Sequence, residues 1–294
     1  MKTISELIET NKFLHWLYQE SFLSAFLHWL KKAGLFIYFK TRMVFQAANT
    51  LPRKWGIYQS EYERLKAMAG IYSGKRCFIC CTGPSLTIED LEKLKNEYVF
   101  GMNSICLIHD KTDWKPDFFA IQDSHVFDKL KEAVLNTDNG IVFAPIQYKK
   151  KYHTPIDWVY FHISGAYHLW EMRYGPRYFA KFSDDAYSTV YDGYSITYSL
   201  MQIAIYLGFE QIYLLGADCN YLGKQQHFIE SGHYDPGYKE AAKRMMAAYE
   251  KARDYCENHS VKIFNATRGG CLELFPRIRL EDVLNNKEKN KNCD

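Results

Sequence analysis

Residues 77–86, CFICCTGPSL, are an apolar run that stops at Gly83-Pro84, and the chain resumes at once as the amphipathic run TIEDLEKLKN over 87–96. A strand that breaks at Gly-Pro and turns directly into a helix belongs to a fold in which strands and helices alternate. The helix start leaves backbone N–H groups without intrahelical partners, and these suit a phosphate or a nucleotide. The same Gly-Pro pair also serves as the plain tight turn that any α/β protein needs, so the corner by itself leaves both readings open.

A second segment, DGYSITYSLMQIAIYLGFEQIYLLGADCNY over 192–221, sharpens the reading. Ser195 or Thr197 can cap a helix whose apolar residues Leu200, Met201, Ala204, Ile205 and Leu207 recur at helical spacing. Gly208 ends that helix, and Gln211 to Leu215 reads as a buried strand opening onto Gly-Ala-Asp-Cys-Asn-Tyr. Open α/β sheets bind ligands at strand carboxyl ends, so two such edges with small and polar residues define a cleft.

The alternation continues along the chain. It predicts strands near 76–81, 98–102, 117–122, 141–143, 158–162, 211–216 and 261–264, and helices near 87–95, 125–135, 196–207 and 238–258. The expected fold is α/β, a mainly parallel Rossmann-like sheet with helices on both faces. Three parts follow: a helical prelude over 1–70, an α/β domain over 71–284 and a polar tail over 285–294.

Composition excludes several classes. With 294 residues and 47% hydrophobic content the chain can bury a sizeable core. A formal net charge of +3 without a basic block disfavours a nucleic-acid partner. Several of the eight cysteines sit in apolar runs, and Cys77-Phe-Ile-Cys80 lacks the second pair or histidine that a zinc site needs. Reduced thiols in a cytoplasmic setting fit that usage.

The prelude carries the run LHWLYQESFLSAFLHWLKKAGLFIYFKTRMVFQ from Leu14 to Gln46, in which Trp16, Phe22, Phe26 and Trp29 alternate with His15, Glu20, Lys31 and Lys32. No uninterrupted apolar stretch reaches the roughly 20 residues of a spanning helix. Two readings stand: an interfacial helix at the inner face of the cytoplasmic membrane, or a packing surface for the α/β domain or a second copy in a homo-oligomer.

The paired motifs, G-P-S-L early and I-T-Y-S-L-x-Q-I-A-x-Y-L-G-F-x-x-I-Y-L-L-G-x-D later, resemble the bacterial sialyltransferases of glycosyltransferase family 42 and the related motility accessory factor and pterin diphosphokinase group. Phe100-Gly-Met-Asn103, Phe118-Phe-Ala-Ile-Gln-Asp123 and Ser231-Gly-His233 fall in the same order as that family's motifs, over roughly residues 74–284. The resemblance implies a GT-A-like variant of the fold and a CMP-activated sugar donor. It implies nucleotide contacts from Cys81, Thr82, Gly83, Pro84, Ser85, Asn103, Gln122 and Asp123. It places the donor carboxylate at the Ser195–Thr197 turn, and makes His233 the general base, with His227 its nearest rival. The acceptor it implies is a surface glycan or glycolipid. Thr82 stands where the family has Asn, and Asp192-Gly193-Tyr194 where family 42 carries an Arg.

Chemistry assigns the remaining candidates. Tyr194 and Tyr221 can donate to a leaving phosphate, and Arg268, past another strand end, can reach one. Asp218-Cys219-Asn220 offers one carboxylate and one amide, a poor Mg²⁺ site, so no cofactor and metal-independent transfer are expected. Two rivals remain: a 6-hydroxymethylpterin-type diphosphokinase using ATP and Mg²⁺, and a non-catalytic partner in glycan assembly.

Overall fold

The computed structural model describes residues 11, 22–136, 138–165, 178–220, 227–229 and 238–285. The chain forms two compact units, one of Met1–Ile57 with Ala166–Arg177 and one of Tyr58–Gly165 with Tyr178–Asp294. In the first, the described residues form one long helix, α1 (Phe22–Lys54). Arg53 and Lys54 lie in its last turn, where positive charge complements the helix dipole. Gly56 follows at φ +70°, a conformation that stops helix propagation.

The second unit is built on seven parallel strands: β1 (Arg76–Cys80), β2 (Tyr98–Met102), β3 (Phe118–Ala120), β4 (Ile141–Pro145), β5 (Val159–Phe161), β8 (Gln211–Leu215) and β9 (Lys262–Asn265). Their spatial order is β5-β4-β3-β2-β1-β8-β9. The chain therefore runs outward in one direction from β1 and returns on its other side with β8, which makes the β1/β8 boundary the topological switch point. A two-stranded parallel sheet, β6 (Ile163–Ser164) with β7 (Val190–Tyr191), stands apart.

Alternation along β1 shows how the sheet is covered. Cys77 and Ile79 face a core that includes Leu200, Ile203 and Leu207 of α6 (Ile196–Leu207) and Tyr249 of α7 (Tyr238–Glu257). Phe78 and Cys80 face the opposite core, with Leu91 of α3 (Ile88–Lys93) and Leu280 and Val283 of α8 (Leu280–Asn285). Helices thus lie on both faces, and strands buried on both sides read as continuous apolar runs. A third cluster joins Phe119 of β3 to Phe127 and Leu130 of α4 (Ser124–Asn136) and to Tyr148 of α5 (Gln147–Tyr152). Arg76 and Glu97, both buried, form a bidentate pair at 2.7 and 3.0 Å, and the same guanidinium donates to the Val283 carbonyl, tying β1 and the entry to β2 to α8.

At the end of the helical prelude expected over 1–70, the chain forms only the short helix α2 (Glu63–Ala67). The Glu63 carboxylate accepts from the backbone N–H and hydroxyl of Ser60, holding 58–62 as a turn ahead of it. The short elements at Asn103–Leu107, a 3-10 turn, and at α5, α8, β6 and β7 lie in stretches the sequence left unassigned.

Candidate functional site

The carboxyl ends of β1, β2, β3 and β8 and the start of α6 enclose a cavity of about 480 Å³. Cys81, Thr82, Gly83, Asn103, Gln122, Asp123, Tyr194, Ser195, Thr197, Asp218 and Asn220 all line it. It sits at the switch point, where an open parallel sheet leaves a crevice because its connections diverge to opposite faces.

The β1 corner is tightly determined. Cys81 N–H donates to Leu215 carbonyl at 2.8 Å and Gly83 N–H to Gly216 carbonyl at 2.9 Å, so the loop continues the β1–β8 ladder past the strands. A Cβ at Gly83 would overlap the Asp218 carboxylate and the Gly216 carbonyl. Only glycine permits that approach. Asp218 Oδ2 accepts from Ser85 Oγ at 2.8 Å and from Ser85 N–H at 3.3 Å. Asp218 is therefore both a cavity wall and the brace of the Gly-Pro-Ser turn. Pro84 and Ser85 shape the corner from outside the cavity lining.

At the opposite wall, Ser195 caps α6, its hydroxyl accepting from Thr197 N–H at 3.2 Å. Thr197 Oγ1 lies 3.3 Å from Cys81 Sγ, and Tyr249 OH 3.4 Å from Ser195 Oγ. Burial pushes the Cys81 thiol up to about 12, offset in part by Thr197 and reinforced by the Asp218 charge. Cys81 is thus a small packing residue and not a thiolate nucleophile. Burial likewise raises the Cys77 and Cys80 thiols, which agrees with their place inside β1.

The decisive feature lies between these walls. Asn103 holds φ +48° immediately after β2, and its Oδ1 is buried without a hydrogen-bond partner. On the next strand, Gln122 Oε1 is likewise buried and unpartnered, while its Nε2 donates to Asp192 Oδ1 at 3.3 Å. These two orphaned acceptors at neighbouring strand ends belong to residues of the cavity wall, where a donor-bearing ligand would satisfy them. Asp192 also accepts from Tyr194 N–H at 3.1 Å and fixes that residue at φ +64°. Tyr194 OH donates to the Phe179 carbonyl at 3.3 Å. Asp123 Oδ1 caps the start of α4 by accepting from His125 N–H at 2.7 Å.

Arg268 is placed elsewhere. It lines a second cavity of about 450 Å³ with Arg277 and Arg279. Its guanidinium makes a two-point pair with the buried Asp90 carboxylate and donates to Ser85 carbonyl at 3.0 Å. Asp90 holds the pKa of Arg268 above its ordinary value. Its sequence position past β9 is as expected, but its charge is engaged by Asp90, which itself caps α3 with Thr87.

Tyr221 and His233 lie outside the described residues. His227 is described and lines the strand-end cavity. Its neighbour Phe228 donates its N–H to Thr82 carbonyl at 2.7 Å, pinning that segment over the β1 corner. Asp192, Met245 and Tyr249 also line it without having been singled out as ligands. In sequence, Met245 and Tyr249 are indistinguishable from the buried face of an amphipathic helix. Among the described residues no group of three His, Cys, Asp or Glu side chains is arranged to hold a metal ion.

The sequence profile of the 6-hydroxymethylpterin diphosphokinase MptE-like family matches residues 56–224. No curated protein sequence matches the chain significantly. Among solved structures, the chain is similar to the sialyltransferase CstII from Campylobacter jejuni in complex with the substrate analogue cytidine-5'-monophosphate. That likeness has 17% identity and a TM-score of 0.45, over 70% of this chain and 85% of that one. Another form of the same sialyltransferase with CMP aligns at 17% identity and TM-score 0.46, over 74% and 89%. The Maf glycosyltransferase from Magnetospirillum magneticum AMB-1 aligns at 14% identity and TM-score 0.42, over 75% of this chain and 38% of its own. With more than half of its length matched by one profile, the chain belongs to the 6-hydroxymethylpterin diphosphokinase MptE-like family.

Proposed function

We propose that this protein is a glycosyltransferase that moves a sugar, sialic acid or a related nonulosonate, from a CMP-activated donor to a glycan acceptor. The observation that carries the reading is the pair of buried, unpartnered acceptors Asn103 Oδ1 and Gln122 Oε1 in the switch-point cavity. A nucleoside supplies matching donors, the ribose hydroxyls and the exocyclic amine of cytosine. The N-terminus of α6 is then the group available to the phosphate and the sugar carboxylate, since the corner N–H groups of Cys81, Gly83 and Ser85 are held by Leu215, Gly216 and Asp218. In the transfer step the acceptor oxygen bonds to the anomeric carbon as the bond to the CMP phosphate breaks. CMP leaves with the electron pair, and a histidine takes the acceptor's proton. The resemblance assigns that proton to His233; His227 is the imidazole seated at the cavity wall.

A diphosphokinase reading has its own support. The described lining carries Asp123, Asp192 and Asp218 and no lysine or arginine, a charge balance better suited to a magnesium-bound nucleotide than to a free anion. Against it, each carboxylate already accepts local hydrogen bonds.

The test is product release. CMP liberated from a CMP-nonulosonate, accelerated by a glycan acceptor, is the expected result. AMP liberated only from ATP with Mg²⁺ and a hydroxymethylpterin would replace this reading with the kinase one. In the transferase assay, His233→Ala is expected to lower turnover about 10²-fold, the scale of a lost general base, while His227→Ala acts weakly. The reverse order of effects would move the base to position 227.

A further inference from the structure

Helix α1 has a charge and surface pattern that no role in nucleotide chemistry explains. Its 33 residues include six basic side chains, Lys31, Lys32, Lys40, Arg42, Arg53 and Lys54, and no acidic one. The rest of the chain then holds 31 basic against 34 acidic residues, so the positive charge is concentrated on this helix. Of the sixteen large hydrophobic side chains exposed among the described residues, eleven fall between Phe26 and Ile57. Leu30, Ile37, Val44 and Leu51 recur every seven residues as one exposed stripe, with Trp29 at 61% and Phe45 at 63% exposure beside it. Bare apolar surface of this extent marks an interaction site.

We propose that α1 is an interfacial helix whose partner is an anionic lipid bilayer surface. At about 1.5 Å per residue its 33 residues extend roughly 50 Å, yet no described helix is long and apolar enough to cross a membrane. A helix with aromatic and aliphatic side chains on its surface, basic residues and no carboxylate lies in the headgroup plane. Two cations already run along aromatic rings: Lys40 Nζ sits 5.5 Å from the Phe36 ring, and the Arg42 guanidinium 5.7 Å from that of Tyr38. Long basic side chains on an apolar stripe can carry their charge to the headgroups while the stem stays in the apolar layer. Pairing α1 with its own copy would set five exposed positive charges against five, Arg53 being buried, with no acidic residue on either helix in compensation, whereas phosphatidylglycerol headgroups complement them. The inference rests on α1 alone and stands or falls independently of the enzymatic activity.

The experiment is co-sedimentation of the full chain with vesicles of phosphatidylglycerol and phosphatidylcholine, and with phosphatidylcholine alone. Binding to the anionic vesicles is expected, reduced at least about tenfold both by high salt and by the combined K31E, K32E, K40E and R42E substitutions. A second variant, F45S with V44S, keeps the charge and is also expected to lose binding. Thermal melts of both variants report whether the α/β unit is still folded. Failure of the full chain to sediment with anionic vesicles at low salt would overturn the proposal. So would equal binding to uncharged vesicles, or a dimer that the same substitutions dissociate in the absence of lipid.

Discussion

Two cavities of nearly equal size flank β8, and they differ in what their polar groups lack. The one at the carboxyl ends of β1, β2, β3 and β8 leaves Asn103 Oδ1 and Gln122 Oε1 buried with nothing to accept from. The one beyond β8 and β9 contains three arginines, yet Arg268 is paired with Asp90, Arg277 with Glu273 and Arg279 with Asp282. Positive charge alone would have selected the second as the phosphate site. Unmet hydrogen-bonding capacity within the lining favours the first, because a donor-bearing ligand there would satisfy both acceptors. The wall between them is shared: Ser85 binds Asp218 on one side, and its carbonyl accepts from Arg268 on the other.

The largest effect that can break this comparison is expected from Gly83→Ala. The added methyl group overlaps the Asp218 carboxylate and the Gly216 carbonyl, so the corner must open. Calorimetric titration with CMP is expected to show no binding, together with a lowered melting temperature; unchanged affinity would mean that the corner does not meet the nucleotide.

Asn103→Ala is expected to act on the ligand more than on the fold. Removing a side chain that bonds only the ligand weakens CMP binding about tenfold, roughly 1.4 kcal/mol. Relief of an orphaned buried acceptor is set against the backbone penalty of alanine at φ +48°, about 1 kcal/mol, so the unliganded melting temperature is expected to shift by no more than about 4 °C. A lower melting temperature with undiminished binding would assign Asn103 to structure.

Arg268→Ala probes the other cavity. The arginine side chain is 54% exposed but its partner Asp90 is buried and would keep only its bonds to Thr87, so the loss is expected to cost about 1–3 kcal/mol, read as a lower Tm. CMP affinity should hold within about twofold, and a large loss would return Arg268 to the phosphate. The smallest effect concerns Cys81: with its thiol pushed up to about 12, iodoacetamide at pH 8 should leave it unmodified in the folded protein, as peptide mass analysis can check.

Much of the fold was legible because its strands are buried on both faces. Apolar runs at 77–80, 98–102 and 212–215 announce central parallel strands, and Gly208 at φ +102° ends α6 where the sequence placed its stop. The helix-cap position of Ser195 and the strand-end position of Asp218 followed from the same pattern, while Asn103 and Gln122 came from the family resemblance. Three things did not. Asp218 reads as a possible metal or nucleotide ligand, but its bonds to Ser85 depend on a turn 133 residues away, which no local signal encodes. The engagement of Arg268 by Asp90 is equally long-range. Tyr249 looks like any buried helix residue until α7 packs it beside Ser195.

The most direct measurement of the central claim is a calorimetric titration of CMP into the wild-type chain and into Asn103→Ala and Arg268→Ala side by side. Saturable binding that falls about tenfold in the first variant and stays within twofold in the second is the predicted result. Binding lost with Arg268 and kept without Asn103 would contradict it, and would move the nucleotide to the arginine-lined cavity.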